Sequence, residues 1–207
     1  MGRILHFLGL QGSSFSRRVV PAKLNEQEEL VIQTLLDAGV ISTLSHNHFS
    51  NKEETMVVCC PDGSKLRYIF KLLLLMYSAK AKKRGIFFHT LTRLGGPLCL
   101  EEKLSFDSCH RESLLKEMII SVVDLGYRSC NLVLHFPCAM ARKAKVSPWQ
   151  AVDALIGAKK IIKEIILEKT GHHITVACHL HVGNGRIFFV SRERFEEFRK
   201  KNPNYFL

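Results

Sequence analysis

Two short segments carry the side chains best suited to chemistry. One reads Cys60-Pro61-Asp62 and the other His135-Phe136-Pro137-Cys138. Zinc takes thiolate and imidazole ligands in a tetrahedron, and a catalytic site keeps one position for water. A two-residue spacer between His135 and Cys138 suits a turn that aims both side chains at one ion. Cys60, from a separate segment, would be the third ligand. Cys59 should face away from Cys60, because side chains alternate along a strand. The chain has seven cysteines, an odd number scattered through a sequence too long to need disulfide staples. That points to a reducing, cytoplasmic setting with thiols free for metal or catalysis.

The elements that must position these residues can be read from periodicity and punctuation. Asn25 to Ala38 reads as a helix, with Asn25 as cap, Glu28 three residues on, and Gly39 as its end. Residues 42–54 are polar and loop-like. Thr55 to Cys60 reads as a buried strand stopped by Pro61-Asp62-Gly63, Leu66 to Lys83 as a helix, and Gly85 to Leu91 as a second strand. Residues 98–109 look like an insertion. Glu112 to Leu125 is a helical pattern, and Asn131 to His135 is a third strand. Ser147 and Pro148 open a helix as cap and first position, running to about Lys169. Ile174 to Val182 and Arg186 to Val190 are strands joined by Gly183-Asn184-Gly185, and Arg192 to Lys200 is a short charged helix. Strands alternating with helices predict an α/β fold around a mainly parallel sheet, to which the last hairpin adds an antiparallel edge. Open sheets of this kind bind ligands at the carboxyl ends of their strands, where both chemical segments fall.

With 207 residues, 46% hydrophobic and 24% charged, the chain fits one globular domain with a sizeable core. Collagen-like, low-complexity and disordered classes are excluded. No window approaches the roughly 20 apolar residues of a membrane span; the greasiest run, Ile69 to Tyr77, is short and holds Lys71. Thirty Lys and Arg against 19 Asp and Glu give +11, which concerns steering towards anions rather than fold. The bases are dispersed and most Phe residues lie in core-like strands, which argues against a nucleic-acid surface. Residues 1–24 contain no acid but several Arg, Lys and Ser. This composition is shared with organellar import segments, though we read it as an N-terminal arm packed on this or a neighbouring subunit, with residues 25–207 as a single domain.

The order of motifs resembles the β-class carbonic anhydrases, of which this chain would be a divergent member. That family has Cys-x-Asp-x-Arg at the first strand end, where this sequence reads Cys60-Pro61-Asp62-Gly63-Ser64. Its Arg-Asn-Ala-Gly turn is similar to Arg93-Leu94-Gly95-Gly96, its His-x-x-Cys to His135-Phe136-Pro137-Cys138, and its last hairpin to Val176–Val190. The resemblance covers roughly residues 25–190. It implies a β-carbonic-anhydrase-like fold and a Zn2+ ion on Cys60, His135 and Cys138. It also implies reversible hydration of CO2 to bicarbonate by hydroxide formed on the zinc, with Asp62 as catalytic carboxylate and Gly95 and Gly96 at the substrate. A homodimer or higher homo-oligomer, with residues 1–38 lying across the partner, is implied as well.

The sequence departs from the family at Ser64, where the family has an Arg that holds the Asp off the metal. A serine cannot form the bidentate pair. Lys65, Arg67 and Arg93 are the candidates to take its place; without one, the Coulomb term favours Asp62 as fourth ligand, closing the site. Ala139 stands where the family commonly has Gly, and the gap from Cys60 to His135 is long. A catalytically silent zinc-binding relative, and a hydrolase of carbonyl sulfide or carbon disulfide, are therefore the alternatives. His89 and His179 are candidate proton shuttles. His179 and His181 otherwise read as one buried and one exposed strand histidine, His172-His173 as a polar loop, and Trp149 as packing on the sheet or a subunit. The run Lys80 to Arg84 reads as a solvated helix end. Arg142, Lys143 and Lys145 either draw an anion towards the site or form a solvated face.

Overall fold

A computed structural model describes residues 23–44, 54–78, 87–104, 108–183 and 185–206. The N-terminal arm and the basic run at 80–84 lie outside the described residues.

The elements form where the residue pattern requires them. Helix α1 (Glu26–Asp37) opens with a reciprocal cap, in which Glu28 N donates to Asn25 Oδ1 at 2.8 Å and Asn25 N donates to Glu28 Oε2 at 2.9 Å. Strands β1 (Ile41–Thr43) and β2 (Glu54–Cys59) follow, then α2 (Gly63–Ser78), β3 (Phe87–Thr92), α3 (Ser108–Val123), β4 (Ser129–Phe136), the short α4 (Ala139–Lys143) and α5 (Pro148–Thr170). Strands β5 (Thr175–Val182) and β6 (Arg186–Val190) form the hairpin, and α6 (Arg192–Lys201) closes the order. Short 3-10 helices occupy Gly96–Leu100 and Pro203–Phe206. The cap expected at Ser147 is present, with Gln150 N donating to Ser147 Oγ at 3.2 Å and Ser147 N donating to Gln150 Oε1 at 2.9 Å, and Pro148 begins the helix.

The six strands run in the order β1-β6-β5-β4-β2-β3. The pairs β3–β2, β2–β4 and β4–β5 are parallel; β5–β6 and β6–β1 are antiparallel. The chain is thus an α/β protein with a mainly parallel sheet and a C-terminal antiparallel pair. The hairpin's return strand is not an edge, however, because β1 pairs with its outer side through Ile41↔Val190 and Thr43↔Phe188. Residues 42 and 43 of β1 were expected to be loop; three residues of strand carry too little periodicity to be read.

The two faces of the sheet differ. One carries the main core, where Leu132, Leu134, Val176, Cys178 and Leu180 meet α1, α3 and α5. The other carries a smaller cluster of Val57, Cys59 and Val133 under Ile69 of α2. Residues 98–100 are no surface insertion: Leu98, Cys99 and Leu100 are fully or almost fully buried in the main core. Trp149 packs at the margin of the main core. It stacks on Tyr205 at 4.5 Å and on Phe198 at 5.7 Å, fastening the C-terminal segment to α5.

Because α5 supplies much of the main core, its cap should matter to the whole domain. Ser147→Ala should destabilise the fold by about 1 kcal/mol, read as a lower urea midpoint with an unchanged slope.

Candidate metal centre

Parallel pairing fixes the site. Val58↔Leu132 and Cys59↔Val133 are partners across β2 and β4, so Cys60 leaves β2 at the level where β4 ends in His135 and Phe136. Alternation sends Cys59 into the α2-side cluster, away from Cys60, as expected. The turn after β3 closes in from the other side. Arg93 N donates to Cys59 O at 3.3 Å and Gly96 N to Arg93 O at 2.7 Å. Gly95 and Gly96 both have positive φ, at 83° and 58°, a conformation open to glycine. A Cβ on Gly96 would lie 2.8 Å from Cys60 N and 3.0 Å from Cys59 C. This glycine is required by backbone approach as well as by conformation.

Three of the expected residues come together. The Cys138 thiol donates a hydrogen bond to the Cys60 sulfur, the His135 imidazole faces it, and the Gly95 N–H points at it. These contacts, led by the Cys138 bond, hold Cys60 well below the usual thiol range against the opposing effect of burial. Cys138 is pushed up correspondingly, first by the same bond and then by burial. The pair therefore behaves as one thiolate and one thiol. Cys59, buried and beside that negative charge, is pushed up to about 12 and stays a neutral core thiol.

His135 is buried, and its Nδ1 is bonded to Pro137 O at 2.9 Å. A carbonyl only accepts, so Nδ1 carries the proton and Nε2 keeps its lone pair. That Nε2 is buried without a hydrogen-bond partner. Among the described residues, no three or more His, Cys, Asp or Glu side chains stand in an arrangement ready to hold a metal ion; the Cys138 thiol is hydrogen-bonded to the Cys60 sulfur. By donor chemistry the residues nevertheless fit zinc: a thiolate, a thiol that metal would deprotonate, and an imidazole oriented through its far nitrogen by a backbone carbonyl.

Asp62 lies at the head of α2, where its carbonyl accepts from Lys65 N at 2.9 Å and Leu66 N at 3.0 Å. Of the candidate bases, Arg93 is committed elsewhere. It donates to Ser113 Oγ at 2.9 Å and forms an ion pair with Glu117 of α3. Arg67 is exposed. Lys65 is buried, only 2% exposed, in the first turn of α2.

His179 and His181 are both buried, contrary to the one-in, one-out expectation. Residues two apart on a strand share a face, which is the signal that reading missed. His179 Nε2 donates to Asn131 Oδ1 at 2.9 Å, a structural bond. His181, opposite His135 across β4 and β5, is lowered to about 4, by burial first and then by Lys65 and His135. His89 is stacked on Tyr127 at 5.6 Å and pairs with Met56, well back from the strand ends. His172 and His173 are exposed in a loop, as expected. Arg142, beyond Cys138, is paired with Glu28 through bonds of 3.1 and 3.2 Å. A cleft of about 300 Å³ lined by Glu28, Cys138, Arg142 and Lys145 runs alongside.

Two solved structures are similar to this chain. One is the carbonic anhydrase of Streptococcus mutans, at 15% identity and a TM-score of 0.38, covering 79% of this chain and 95% of that one. The other is β-carbonic anhydrase isoform I of Trichomonas vaginalis, at 16% identity and a TM-score of 0.34, covering 80% of this chain and 97% of that one. No family model and no curated protein matches the sequence.

Three outcomes test this geometry. Gly96→Ala should force β2 and the 93–96 turn apart, lowering the denaturation midpoint and disturbing the Cys60 environment together. In metal-free protein, thiolate absorbance near 240 nm should show one thiolate persisting well below pH 8, where an ordinary thiol is protonated. Cys138→Ala removes the leading bond to that thiolate, so its titration should move up in pH.

Proposed function

We propose that Cys60, His135 and Cys138 hold a zinc ion and that the chain hydrates carbon dioxide reversibly to bicarbonate, in the manner of β-class carbonic anhydrases. The observation that carries this reading is the buried, unpartnered His135 Nε2 beside the Cys60–Cys138 pair, together with the motif order. When bound, zinc would supply a Lewis acid that lowers the pKa of a bound water to about 7.

The chain's own residues supply the rest. Pro137 O fixes the His135 tautomer, and the Gly95 N–H steadies the Cys60 thiolate. Asp62 accepts a hydrogen bond from the attacking water and so orients its lone pair. Lys65, the buried one of the three candidate bases, stands in for the Arg that Ser64 replaces and keeps Asp62 from the metal. The glycines at 95 and 96 leave room for a small linear substrate. Homo-oligomeric assembly and cytoplasmic residence belong to the same proposal. The commitment of Arg93 to Glu117 favours a second reading, a zinc-binding relative without turnover.

Zinc analysis with stopped-flow hydration separates these. The proposal expects about one zinc per chain, lost in Cys60→Ser and His135→Ala along with activity. Asp62→Asn should keep the metal and lower turnover by about 100-fold, with Lys65→Met acting in the same direction. A zinc-loaded chain that leaves hydration at the uncatalysed rate would select the silent relative.

A further inference from the structure

We propose that His181 is the fourth zinc ligand, closing a set of two sulfurs and two imidazoles with Cys60, His135 and Cys138. This rests on the zinc reading above and concerns how that centre is completed.

His135 and His181 are register partners on adjacent parallel strands. Partners point to the same face of a sheet, and neighbouring strands lie about 4.8 Å apart, so the two rings stand side by side. His181 has no solvent exposure. Neither of its ring nitrogens has a hydrogen-bond partner, and the Nε2 of His135 has none either. Tyr68 of α2 stacks over the His181 ring at 6.2 Å between centroids, which covers a face and leaves the nitrogens at the ring edge unanswered. A buried polar group without a partner costs about 1–3 kcal/mol. One nitrogen from each of the two neighbouring imidazoles, with the Cys60–Cys138 pair that His135 faces, makes a donor set that one soft divalent cation takes up. Imidazole and thiolate are its preferred donors.

Asp62, the competing fourth ligand, is differently placed. It is half-buried at the head of α2 and already has an interaction of its own. His181 is the group whose buried ring nitrogens lack a hydrogen-bond partner. With His181 bound, no coordination position is left for water, so turnover requires His181 to withdraw.

X-ray absorption at the zinc edge of the zinc-loaded full chain reads the ligand set directly. The expected shell is two sulfurs at about 2.3 Å and two nitrogens at about 2.0 Å, with outer-shell scattering from two imidazoles. His181→Phe keeps an aromatic ring under Tyr68 and removes the ligand; it should lose one imidazole from the shell and release zinc at least about 10-fold faster to a chelator. Asp62→Asn should leave shell and release rate unchanged. A wild-type shell with one imidazole and an oxygen, sensitive to Asp62→Asn and not to His181→Phe, would overturn the proposal while leaving the zinc reading intact. Failure to take up stoichiometric zinc would overturn both. Should His181→Phe not fold, the wild-type imidazole count still decides.

Discussion

The parallel pairing of β2 with β4 is the constraint on which everything else depends. Cys60 and His135 are 75 positions apart in sequence, and only the register Cys59↔Val133 brings them to one rim. A slip of β4 by one residue would turn its faces over, sending His135 into the main core. That register is strongly specified, because β4 is buried along its whole length and divides cleanly between Leu132 and Leu134 on one face and Val133 on the other. Gly96 locks it from the flank by lying against the Cys59–Cys60 backbone. Hydrophobic burial sets the frame, and one glycine sets the final approach.

The face under α2 has a second character. Along β4 and β5 it carries polar residues in sequence: Asn131 Nδ2 donates to Thr55 Oγ1 at 2.9 Å and Oδ1 accepts from His179. Further along the same strands come His135 and His181. At the inner end His179 Nε2 is answered by Asn131, whereas at the strand termini neither ring nitrogen of His181 has a hydrogen-bond partner, nor has His135 Nε2. Buried polar groups are ordinarily paired, and the His135–His181 end of the stripe is where we propose that a metal binds. The thiols reinforce it. Cys59, Cys130 and Cys178 are held neutral chiefly by burial, whereas Cys60 is the one whose neighbours favour the charged form.

Much of this was legible in the sequence because the signals were local. Thr55 to Cys60 and Asn131 to His135 read as buried strands, and Asn25 and Ser147 read as caps, since each depends on residues a few positions apart. The convergence of Cys60 with the His-x-x-Cys turn followed from the rule that open parallel sheets work at their carboxyl ends. What escaped notice depends on contacts distant in sequence. Residues 98–100 were taken for an insertion because nothing local tells a buried 3-10 turn from a loop. The Arg142–Glu28 pair spans 114 positions, and the Arg93–Glu117 pair could not be chosen over an Arg93–Asp62 pair before α3 was placed. His181 was open to sequence reasoning through its two-residue spacing from His179, but the strand register that sets it opposite His135 was not.

The central claim, that Cys60, His135 and Cys138 converge on one zinc ion, is tested most directly by anomalous diffraction at the zinc edge from crystals of protein grown with ample zinc. The account predicts a single strong peak per chain, within bonding distance of both sulfurs and of His135 Nε2. A map with these three side chains ordered and no peak between them, or with the peak elsewhere on the chain, would contradict it.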